Sequence, residues 1–122
     1  MADIKSKLVA FEDFPTLPSM KWLIDGIVPL HGAVMDYGSP KGGKSLTFQS
    51  QMLACAAQVP WCGFETRSAK GLHIVSEGFN GVMRRHAAWM KSHDITEPLD
   101  VRYWRGSVNF LDLEARPRPP AP

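Results

Sequence analysis

A chain of 122 residues with a formal net charge of +2, 44% hydrophobic and 21% charged residues has the composition of one small globular domain. That length is enough to hide roughly two-thirds of the unfolded surface. So small a charge excess argues for neither a nucleic-acid nor a membrane surface, and no apolar h-region or membrane-length run is present, so a cytoplasmic protein without membrane contact is expected.

Residues 1–21 hold Pro15 and Pro18, which forbid one continuous helix and predict an extended arm whose Phe11, Phe14 and Leu17 pack on the domain. Trp22 to Pro29 is a short, apolar, turn-rich segment, after which Gly32 opens a predicted strand over Ala33, Val34, Met35, Asp36 and Tyr37. From Lys44 to about Gln58 there is neither Gly nor Pro, and Leu46, Gln49, Ser50, Leu53 and Ala57 recur at helical spacing until Pro60. Residues 61–71 read as a loop or short hairpin. A second strand follows over Leu72 to Ser76, then a helix from an Asn80 cap to about His93. That helix would turn Val82, Met83, His86, Ala87 and Met90 inward and Arg84, Arg85 and Lys91 outward. Val101 to Trp104 is a candidate third strand, and the proline-rich stretch 114–122 is expected to stay disordered.

Cys55 and Cys62 lack C-x-x-C spacing and are expected as buried free thiols. His31, His73, His86 and His93 show no paired ligand spacing, so no zinc site is expected.

The most specific chemistry lies in Gly38, Ser39, Pro40, Lys41, Gly42, Gly43, Lys44 and Ser45, which spell G-x-x-x-x-G-K-S between a strand-like and a helix-like run. Glycines let backbone N–H groups close around a phosphate, and the helix that follows adds the partial positive charge of its start. Lys44 would meet the terminal phosphates and Ser45 the magnesium ion, with Leu46 completing the nucleotide-binding stretch. The expected ligands are therefore ATP and Mg2+. Lys41 stands only three residues before Lys44, whereas the variant loop with a second signature lysine carries it five before. Lys41 is accordingly read as a solvent-side residue.

Taken with Trp22 to Pro29 and with Ser76-Glu77-Gly78, this loop makes residues 22–113 resemble the RecA-like P-loop ATPases of the AAA_25 or RepA-like helicase group, common in phages and plasmids. The resemblance implies an α/β fold with a partial parallel sheet and flanking helices, and ATP hydrolysis coupled to DNA replication or helicase-type work. It assigns Glu77 as the catalytic residue that orients the attacking water, a role phosphoryl transfer to water requires. It leaves contact with nucleic acid open. Family members continue into a third core strand ending in a magnesium-holding Asp, then to a trans-acting arginine. Asp112 lacks the apolar run of that strand, so the chain is expected to be truncated before it and slow in hydrolysis. Asp36 stands where the family has an apolar residue. The sheet would then be completed in one of two ways: the first two strands pair directly, or another copy or a larger protein covers the open strand. The competing function is a non-catalytic interaction protein derived from such an ATPase.

Overall fold

The computed structural model describes residues 7–109 and 111, so the expectations for Phe110, Asp112 and the stretch 114–122 lie outside the described residues. The first described element is a 3-10 helix over Phe11–Thr16 that contains Pro15, where an extended arm was expected. A short 3-10 turn can hold a proline, which fixes φ near the helical value and lacks a backbone N–H. Phe11 and Phe14 meet in a tilted contact, with ring centres 5.3 Å apart, but both stay exposed, as does Leu17; the expected packing on the domain is not seen.

Trp22–Ile24 (β1) and Val28–Pro29 (β2) form a small antiparallel hairpin, closed by the Ile27 N–H donating to Ile24 O. Residues 65–67 run along its other edge. The Asp25 N–H donates to Glu65 O at 2.9 Å and the Arg67 N–H to Leu23 O at 2.8 Å, which leaves Ile24 sealed in the core.

The predicted strand over residues 33–37 does not form. Those residues make no ladder, and Met35 and Tyr37 are 85% and 86% exposed. Apolar alternation prepares a segment for a sheet, but a strand exists only with a hydrogen-bonded neighbour, and none lies beside this one among the described residues. Direct pairing of the first two predicted strands is therefore ruled out in this structure. The parallel pair is instead Gly71–Val75 (β3) with Val101–Arg105 (β4), in a register that sets Gly71 opposite Val101, His73 opposite Tyr103 and Val75 opposite Arg105.

The first long helix, Lys44–Ala57 (α1), starts at the loop motif and stops where Gln58 turns left-handed, its N–H returning to Ala54 O and Cys55 O. Leu53, Ala54 and Cys55 are buried. Gly71 lets α1 lie close on β3, because a Cβ there would run into Met52. The second helix, Phe79–Ser92 (α2), begins after Gly78 rather than after an Asn80 cap, and Asn80 sits inside it without a capping bond. Val82 is its buried anchor, whereas Met83 and Ala87 are exposed, contrary to the inward face expected for them.

Side chains alternate across a sheet, so His73, Val75, Val101, Tyr103 and Arg105 share the face that the helices cover. Leu72 and Ile74 point to the other side, and Leu72 is 66% exposed. Of the two thiols Cys55 is buried, with burial pushing its pKa above the ordinary value, while Cys62 is exposed, unlike the expectation for it. No helix among the described residues is long and apolar enough to cross a membrane.

Candidate functional site

The motif residues 38–45 form a tight loop on the start of α1. The Gly42 N–H donates to Ser39 O at 3.1 Å, and a Cβ on Gly42 would come within 3.0 Å of that same oxygen. Gly43 follows at φ 88° as the residue ahead of the helix, a conformation that favours glycine. Lys44 folds back across the loop, its Nζ donating to Gly38 O at 2.6 Å. The ammonium thus spans the loop from its last residues to its first. Thr47 Oγ1 bonds to Gly43 O at 2.9 Å and closes the first helical turn, while the Ser45 hydroxyl makes no hydrogen bond among the described residues. Lys41 (φ 63°) and Leu46 are both exposed. A glycine-bounded turn, a cation folded over it and a free hydroxyl in the first helical turn fit the phosphates and magnesium of a nucleotide. Asp36, in the segment before the loop, is exposed to solvent.

Successive contacts fix the direction of α1. The Ala69 N–H donates to Cys55 O, Met52 lies against Gly71, and Gln49 bonds to Tyr103, the partner of His73. Moving back one turn of α1, ~5.4 Å, advances two residues along β3, ~6.6 Å. The helix therefore runs antiparallel to β3, and its first turn arrives at the carboxyl end of that strand. Glu77 follows β3 there, exposed, in a cleft of about 330 Å3 lined also by Ser76, Phe79, Asn80 and Arg105. The fold thus brings the loop and Glu77 to one end of the sheet, the end where open α/β sheets bind ligands.

The helix beneath the loop is held by a polar cluster. Gln49, 2% exposed, donates from Nε2 to Val82 O at 2.8 Å and to the Tyr103 hydroxyl at 3.1 Å, and accepts at Oε1 from Arg85 Nε at 3.1 Å. The Tyr103 hydroxyl and His86 Nδ1 share a further hydrogen bond at 2.6 Å, which extends the cluster to α2. Burial lowers the His86 pKa; burial and then the Arg85 charge lower that of His73, whose Nδ1 is buried without a partner among the described residues. Burial raises the Tyr103 pKa against smaller opposing effects of Gln49 and Arg85.

Arg85, expected to point outward, is half-buried because Gln49 holds its guanidinium. Sequence reasoning missed this cluster and Arg105. The one available signal was a glutamine on the inward stripe of α1, since a polar side chain among core positions needs partners.

No curated protein and no solved structure matches the chain. A family comparison does match, over residues 2–119, to the family described as AAA domain, AAA_25. That span covers nearly the whole sequence and agrees with a mixed α/β fold bearing a small parallel sheet and with an ATPase-like, nucleotide-binding module. The chain belongs to the AAA_25 family of AAA domains.

Proposed function

We propose that this chain is a RecA-like module that binds ATP with magnesium at residues 38–46. Lys44 and the loop backbone hold the phosphates, Ser45 holds the ion, and Glu77 orients the water that attacks the terminal phosphate. Magnesium, when bound, neutralises charge that builds on the phosphate oxygens. The observation that carries this reading is the Lys44 ammonium folded over a glycine-bounded loop, at the sheet end where Glu77 also lies. ATP hydrolysis coupled to DNA replication or helicase-type work, in a phage or plasmid setting, is the parent activity that the family resemblance supports.

Calorimetric titration with Mg·ATP and Mg·ADP tests the site. Lys44→Ala removes charge-assisted hydrogen bonds worth about 1.5–3 kcal/mol, so the complex should weaken by a factor of roughly ten to a hundred. Equal affinity in both proteins would overturn the assignment.

A second reading is a non-catalytic protein that works by associating with itself or with a larger protein. Its support is the exposed apolar set of Val34, Met35 and Tyr37, together with Leu72 on the uncovered face of a parallel ladder, an arrangement normally buried on both faces. The same titration bears on it, since an interaction protein that has given up its nucleotide returns no heat with either ligand.

A further inference from the structure

We propose that Arg105 registers the third phosphate of a bound nucleotide from the cleft it shares with Glu77, an inference that rests on the nucleotide-binding reading above. The location follows from the ladder. Arg105 is the last residue of β4, opposite Val75, and it faces the helix-covered side. It therefore stands at the carboxyl end of the sheet, toward which the first turn of α1 and its loop are directed.

The other described guanidiniums are placed differently. Arg85 is tied to Gln49, Arg102 lies three residues back on the opposite face of β4, Arg67 is carried by the backbone segment bonded beside β1, and Arg84 is exposed along α2.

The chemistry of the cleft also fits a phosphoryl group. Arg105 and Glu77 line one space of about 330 Å3, yet no ion pair joins them; among the described residues the only one is Lys70 with Asp100, at 3.5 Å. The Arg105 guanidinium rests instead on the Phe79 ring, 5.2 Å from its centre. Such stacking holds the planar group while leaving its N–H fork available to an anion. An unpaired cation and an unpaired carboxylate across one gap suit a group that has anionic oxygens on one side and a water to be oriented on the other. The terminal phosphate of ATP with its attacking water has that polarity. ADP lacks the group that would reach the cleft, and Lys44 would serve the phosphates that both nucleotides carry.

Titration of the full chain with Mg·ATP and with Mg·ADP separates the two roles. Arg105→Ala should weaken ATP by a factor of roughly ten to a hundred and leave ADP unchanged, removing the preference for the triphosphate. Arg105→Lys should keep part of that preference, because it retains the charge but not the fork. Lys44→Ala should weaken both nucleotides. Matching thermal midpoints by circular dichroism establish that the variants are folded, and Arg105→Gln carries the same comparison if the alanine variant does not fold. Loss of ATP and ADP affinity in equal measure, or of neither, in a folded Arg105 variant overturns the inference while Lys44→Ala still reports on the loop. If Lys44→Ala changes neither affinity, or the unmodified chain binds neither nucleotide, the binding reading falls and the inference falls with it.

Discussion

On its helix side the glycine-rich loop runs into α1, which is fixed by buried Leu53, Ala54 and Cys55 and by the three hydrogen bonds of Gln49. On its other side, residues 31–43 are exposed throughout, and 33–37 make no ladder. One flank is thus held by packing and a polar cluster, the other, among the described residues, by the chain alone. The contrast shows that a glycine-rich loop can take its geometry from a single anchored helix, and it places the fold's vulnerability in the cluster rather than in the apolar segment before the loop.

The largest effect expected from this asymmetry comes from cutting the anchor. Gln49→Leu removes the side-chain donor to Val82 O and to the Tyr103 hydroxyl and leaves Arg85 Nε without its acceptor, so it should cost about 2–3 kcal/mol, read from urea unfolding. A loss below half of that would show that the cluster does not carry α1.

Acid should act on the same flank to a smaller extent. His73 and His86 have folded pKa values below the ordinary value, so the fold favours their neutral forms. Their contribution to stability is complete above about pH 6.5 and is lost as pH falls from there toward the lowered folded values. Thermal midpoints measured between pH 7.5 and 5 should fall, and His86→Gln should flatten the dependence. A midpoint independent of pH across that window would remove these histidines from the anchor.

Least affected should be the stability of the unanchored flank. Val34 is 49% exposed, and Val34→Lys should change stability by under about 0.5 kcal/mol. If the chain associates through this segment, the same substitution should shift its sedimentation toward a smaller species. Sedimentation unchanged between the two proteins would take the segment out of any interface.

What could be read from the residues follows the same division. The start of α1 at a glycine-rich motif and its end before Pro60 are local events, and both were legible, as were the apolar, β-branched runs of β3 and β4. Ala33 to Tyr37 has much the same local character as β3, and nothing within five residues records whether a neighbouring strand is present. Arg85 and Gln49 are 36 positions apart, so the pair that turns Arg85 inward leaves no mark on the helical spacing of either. Lys44 and Glu77 were assigned by motif and resemblance. Arg105 was not, because its place beside Glu77 depends on the β3 and β4 register.

The hydrogen bond from Lys44 Nζ to Gly38 O has a consequence for recognition. A lysine free in solvent gives up rotamer freedom when it captures an anion, at a cost of about 0.5–1.5 kcal/mol for an immobilised long side chain. Here the four-carbon stem is already curled across the loop, so in the proposed site an arriving phosphate would take over a partner from a carbonyl rather than order a wandering cation. Much of the entropic cost of such an encounter would then have been met during folding, because a short loop with one anchored flank already presents a pre-shaped cationic arm.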